Sequence, residues 1–194
     1  IGTSNHKNII NFEPMILEIV KRYQFPKMEM AIEIYDENKL RDLPEEERLR
    51  TGEGIIKNDN DESKRWDAVW LVGELAENKT ADDPMFNKAA DLMEWVLKND
   101  NNGVVKHEAC YKIAGRNMRN KIPVLVESAL NDKSILTKHE AIESLGLMRA
   151  FEEIDLIRDA EVDPSIDVRE TARFVIKRLR RLQDQGEYKP AEIL

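Results

Sequence analysis

Apolar residues recur along this chain at three- and four-residue steps, the spacing that gathers them on one face of an α-helix. From Glu13 to Asn38, Ile16, Ile19, Val20 and Tyr23, then Met28, Ile32 and Tyr35, keep this rule on either side of Pro26, which predicts a helical hairpin. Pro44 followed by Glu45, Glu46 and Glu47 marks a helix start, because carboxylates in a first turn face the positive end of the helix dipole. Gly52 and Gly54 are expected to weaken the end of that helix. The polar run Lys57–Ser63 (KNDNDES) then reads as a loop joining an N-terminal helical segment, residues 1–63, to the rest of the chain. The opening Ile1–Lys7 has no apolar period and reads as an appended remnant, so His6 is left out of the functional set.

Beyond residue 63 a longer period appears. Four segments superpose: RWDAVWLVGEL from Arg65, KHEACYKIAGR from Lys106, KHEAIESLGLM from Lys138 and RETARFVIKRL from Arg169, spaced 41, 32 and 31 residues apart. Each opens on a basic residue and places alanine three positions later, at Ala68, Ala109, Ala141 and Ala172. Three carry a small residue at one further register, Gly73, Ala114 and Gly146, where neighbouring helices can approach closely. Second helices lie between, the clearest being Ile122–Leu130 with Pro123 in its first turn. The pattern predicts an all-α, HEAT-like α-solenoid, a superhelical stack of helical hairpins over residues 64–183. It is closed by a helix over 169–182 with Arg178, Arg180 and Arg181 on the solvated side, and residues 184–194 form a polar tail.

Composition agrees with this and narrows the function. Of 194 residues, 41% are hydrophobic, enough for a core along a repeat array, and 35% are charged, as in a helix-rich chain. A formal net charge of −8 opposes nucleic-acid binding and favours a basic partner. One cysteine, Cys110, excludes an internal disulfide framework, and no apolar run reaches membrane-span length. The expected location is the cytoplasm.

The strongest chemical signal is two histidines in register. Of three in the chain, His107 and His139 occupy the same repeat position, and each precedes a glutamate, Glu108 and Glu140. Equivalent positions on stacked helices are about 8–10 Å apart, a gap that His and Glu side chains can close. His107, His139 and one carboxylate would form the two-His, one-carboxylate set typical of oxygen-activating non-haem Fe(II), with zinc ranked second. Two internal histidines do not suffice for a His-rich two-metal centre in one chain, whereas two chains could build one. Glu143, four residues after His139, shares its face and would either orient the imidazole or sit in solvent. Cys110, Met118 and Met148 read as core. Trp66, Trp70 and Trp95 read as repeat core too, with Trp66, at the histidine register, a candidate for lining a pocket.

The run Val105–Met148, with its two KHEA segments, resembles the paired HE repeats of deoxyhypusine hydroxylases, HEAT-repeat di-iron oxygenases, and Asp163–Gln183 resembles the helix that closes their first half. The resemblance implies that His107, His139 and Glu140 ligate iron and that Glu108 meets the substrate amine. It implies O2-dependent hydroxylation of deoxyhypusine on a basic translation factor. Family members carry four HE dipeptides in two halves and this chain carries two. Hence two chains assemble a di-iron centre as a homodimer, or one chain holds a single iron, or the fold persists without the activity. The alternative from another class is a non-catalytic HEAT-repeat interaction module, metal-free or zinc-binding.

Overall fold

The computed structural model describes residues Tyr35–Gln183. His6, the polar tail 184–194 and all but the last residues of the hairpin expected over 13–38 lie outside the described residues. Within them every regular element is helical: α1 Glu37–Arg41, α2 Glu45–Asn58, α3 Glu62–Glu74, α4 Pro84–Asn99, α5 Gly103–Gly115, α6 Ile122–Asn131, α7 Ile135–Leu147, α8 Ile154–Asp159 and α9 Ile166–Leu182, with short 3-10 turns between some of them.

The order of contacts defines four hairpins: α2 packs on α3, α4 on α5, α6 on α7 and α8 on α9. The second member of each hairpin stacks on its neighbours, α3 on α5, α5 on α7 and α7 on α9, and these are the helices that carry the four superposed segments. The shared alanines Ala68, Ala109, Ala141 and Ala172 are fully buried, since they face the adjoining helices of the stack. The glycine register matters for the same reason. A Cβ on Gly146 would lie 2.9 Å from Val175 Cγ1 of α9, and one on Gly73 would lie 2.6 Å from Lys112 Cγ of α5.

Each repeat is tied to the next by its opening basic residue. Asp59, Asp100, Asp132 and Asp163 begin the four hairpin turns, each accepting a backbone N–H two residues on. Arg65 then bonds Asp100 at 2.8 Å, Lys106 bonds Asp132 at 2.6 Å and Lys138 bonds Asp163 at 2.6 Å, one repeat ahead in each case. The N-caps Asp61, Asn102 and Ser134 satisfy the first free amides of α3, α5 and α7 and fix where each segment enters its helix.

Two local expectations differ from the structure. The loop expected over Lys57–Ser63 shrinks to Asp59–Asp61, because α2 runs through both glycines to Asn58. Gly52 is buried there, where a Cβ would meet Val72 at 2.5 Å, so a packing need holds the glycine in the helix. Arg178 is half-buried, not solvated, and its guanidinium donates to the carbonyl of Gly146 in the last turn of α7. No helix among the described residues is long and apolar enough to cross a membrane.

Candidate metal centre

Because α5 and α7 carry KHEA at the same distance from their starts and stack directly, their second turns present His107 and His139 at the same level. Nε2 of His107 lies 3.1 Å from Oε2 of Glu140, so the first dipeptide reaches the second across the helix interface. One ligand atom each from His139, Glu140 and Glu143 fall within 4.8 Å of one another. Of the five site residues expected from sequence, four gather in this way: His107 through Glu140, and His139, Glu140 and Glu143 as one cluster. Glu108 does not join them. It is buried with its carboxylate 3.5 Å from Nζ of Lys112 in the next turn of α5.

The hydrogen-bond pattern assigns the tautomer of His139. Thr171 on α9 donates its hydroxyl proton to the carbonyl of Asp167 at 2.7 Å, so its oxygen is left to accept from Nδ1–H of His139, also at 2.7 Å. Nδ1 therefore carries a proton, and in the neutral ring Nε2 keeps a lone pair. That lone pair faces Oε2 of Glu143 at 3.7 Å, and two electron-rich groups aimed at one space call for a cation or a proton between them. Thr171 escaped notice in the sequence although it holds the glutamate register of the fourth segment; the superposition of RET on KHE is the signal that finds it.

Electrostatics point the same way. Burial, then the charges of Glu143 and Glu108, push the carboxyl of Glu140 up to about 7, so that without a cation it tends to keep a proton. Burial and then His139 pull His107 below its usual value, which leaves a neutral imidazole able to ligate. The donor set, one imidazole and two carboxylates within 4.8 Å of one another and a second imidazole, His107, against Glu140, fits a divalent transition metal that takes nitrogen and oxygen ligands.

Beside the cluster lies an aromatic strip. Trp66 stacks on Trp70 at 5.7 Å between ring centroids, and Trp70 on Tyr111 at 6.5 Å. Trp66 also lines an open cavity of about 240 Å³ with Asp67, Trp70 and Arg41, so the tryptophan at the histidine register does border a pocket. Trp95 is partly buried against the core, and Cys110, Met118 and Met148 are fully buried. Burial raises the Cys110 thiol well above its usual value, as for an inert core cysteine.

Comparison with known proteins agrees with this architecture. A model of HEAT repeats matches residues 89–177. Deoxyhypusine hydroxylase of Bos taurus is 31% identical over 98 residues, which is 48% of this chain and 32% of that protein. The Homo sapiens enzyme is 32% identical over 96 residues, again 32% of its own length. The solved structure of human deoxyhypusine hydroxylase in complex with glycerol superposes with a TM-score of 0.61 at 23% identity, covering 76% of this chain and 48% of that one. The matched sequence thus spans about a third of the length of these relatives. The chain is an all-α, HEAT-like repeat protein that resembles one half of a deoxyhypusine hydroxylase.

Proposed function

We propose that this chain is an iron-dependent oxygenase of the deoxyhypusine hydroxylase type, with His107, His139 and Glu140 as metal ligands and Glu143 as a carboxylate beside them. The observation that carries the reading is the fixed tautomer of His139, whose Nε2 lone pair converges with Glu140 and Glu143. An iron ion held there supplies the binding and reduction of O2. In the reaction one oxygen atom enters a C–H bond of the substrate's aminobutyl chain, and the other leaves as water, with an external reductant giving the two electrons. The chain's own residues do the rest. Thr171 locks the His139 ring, His107 reaches Glu140, and burial shields the Glu140 carboxylate itself from water. The protonated amine of the substrate is drawn by an acidic chain, and the resemblance gives its capture to Glu108, whose buried carboxylate has to exchange Lys112 for it.

The substrate is a basic translation factor bearing deoxyhypusine, and the location is the cytoplasm. The proposed division gives 64–183 to the repeats that carry the site and 184–194 to a polar tail, with the α2–α3 hairpin joining the N-terminal segment, 1–63, to the repeats. A homodimer with the two HE faces opposed belongs to the same proposal, because this sequence carries two HE dipeptides and a two-fold axis brings a second pair against the first. Two ions sharing O2 need a separation of roughly 3.5–4 Å, which only opposed faces allow.

Elemental analysis and solution mass test this together. Iron bound by the wild-type protein and lost from His107→Ala, His139→Ala and Glu140→Ala is the expected result, with a dimeric mass when loaded. Equal iron in wild type and His139→Ala overturns the ligand assignment. An iron-loaded protein that leaves a deoxyhypusine-bearing factor unchanged under O2 and reductant overturns the hydroxylase reading and favours an interaction module.

A further inference from the structure

The closing helix α9 gathers positive charge in a chain that is acidic overall. It holds six cations against two carboxylates, Asp167 and Glu170, whereas the whole chain has a net charge of −8. Its buried side is apolar, from Val168 through Val175 to Leu182, so the cations stand on the opposite side. Arg173, Lys177, Arg180 and Arg181 are exposed there over about 12 Å of helix, and both carboxylates lie in the first two turns, ahead of them. No ion pair among the described residues holds any of the four. Compensation of the helix dipole accounts for Arg180 and Arg181 in the last turn but not for Arg173 and Lys177 further back. Burial, and then the charges of Arg149 and Arg181, pull the neighbouring Arg178 below its usual value, as expected where cations crowd.

Lys177 stands at the register that holds Gly73, Ala114 and Gly146 in the three preceding segments, the small residues over which the next helix closes. A long cation at that position keeps a further helix of the stack off α9, which leaves the face to a different kind of partner. Beside these cations Phe174 is 62% exposed, and it shares a shallow cavity of about 130 Å³ with Leu147 and Arg178. An exposed ring among arginines has the composition of a protein-binding patch, where the ring anchors and guanidinium groups take carboxylates.

We propose that the exposed side of α9, with Arg173, Phe174, Lys177, Arg180 and Arg181, docks an acidic polypeptide segment whose carboxylates meet the cations and whose apolar side chain covers Phe174 and Leu147. Charge complementarity selects this occupant. The patch is about as long as the distance over which charge acts at physiological salt, roughly 8–10 Å, so a short acidic segment feels the patch alone. A long polyanion such as a nucleic acid, or an anionic membrane, also meets the acidic remainder of the chain. The docking surface holds whether or not the HE cluster carries iron.

The test follows the fluorescence anisotropy of a short labelled peptide of Glu and Asp, with one leucine and one phenylalanine at its centre, titrated with the full chain. Binding should weaken steeply with added salt, and a peptide with Gln and Asn in place of the acids should not bind. Arg173→Gln, Lys177→Gln and Arg181→Gln together should weaken binding roughly tenfold or more, and Phe174→Ala alone roughly fivefold. Removing the same charge elsewhere, by Lys57→Gln, Lys88→Gln and Lys98→Gln on α2 and α4, should leave it within about twofold, because screened charges act only nearby. Circular dichroism and melting temperature show that each variant is folded. Absence of peptide binding, or equal losses in the two triple variants, overturns the proposal. So does tighter binding of a single-stranded RNA or of phosphatidylserine vesicles than of the peptide, or self-association of the wild type that the α9 triple variant abolishes.

Discussion

Replacing Thr171 with valine isolates the group that sets the His139 tautomer. The change keeps the β-branched shape of a residue that is 8% exposed, so the packing of α9 against α7 survives. What is lost is one oxygen that accepts from Nδ1–H of His139 at 2.7 Å and donates to the Asp167 carbonyl at 2.7 Å. The stability effect should be small, within about 1 kcal/mol, because Nδ1–H belongs to a side chain that is 36% exposed and can turn to water. The ligation effect should be larger. An imidazole without its orienting partner is free to rotate and to carry its proton on either nitrogen, and such partners are worth about 10- to 100-fold in metal affinity, roughly 1.4–2.7 kcal/mol. The assay is anaerobic competition for Fe(II) between metal-free protein and a chelator of known strength, with circular dichroism to show that helix content is intact. Unchanged Fe(II) affinity in a well-folded Thr171→Val protein would refute both the tautomer assignment and the place of His139 in the metal set.

Three further outcomes test other parts of the structure. In metal-free protein Glu140 is raised to about 7 from an unfolded value near 4.5, so the folded state holds the extra proton between those values. Its contribution to stability is complete below about pH 4.5 and is lost as pH rises through about 7; Glu140→Gln should therefore be about 2 kcal/mol more stable than wild type in urea at pH 8 with chelator, and nearly equal to it at pH 5. Gly54→Ala, with open space around the new methyl, should gain about 0.5–1 kcal/mol from helix propensity, whereas Gly146→Ala should lose up to about 2 kcal/mol because overpacking against Val175 outweighs the same gain. At roughly 2–4 °C per kcal/mol the two melting temperatures should move in opposite directions, and a shared upward shift would contradict the close approach of α7 and α9. Asp100→Ala should cost about 2–3 kcal/mol in chemical denaturation, since Arg65, 11% exposed at its side chain, keeps only the Asp59 carbonyl and Asn101 as acceptors.

The sequence by itself determined the element type, the repeat and the positions of the HE pairs. Helical periodicity, a basic residue, an alanine and a small residue in register are local or strictly periodic signals, and stacking identical local structures leaves few ways to bury their apolar faces. The meeting of His107 with Glu140 follows from register alone, as adjacent helices that begin alike must align their turns. Tertiary structure decided what each side chain does with its neighbours. Glu108 faces Lys112, whose stem lies over Gly73 where a Cβ would come within 2.6 Å of it. Thr171 becomes the partner of His139 only because α9 packs on α7, and Arg178 leaves solvent because the end of α7 offers it the carbonyl of Gly146. The glycines of α2 fail to end it for the same kind of reason: burial of Gly52 against Val72 outweighs a weak local propensity. Propensity and pattern act within one helix, whereas a charge, a proton or a lone pair is settled by whatever the next helix places within about 3 Å of it.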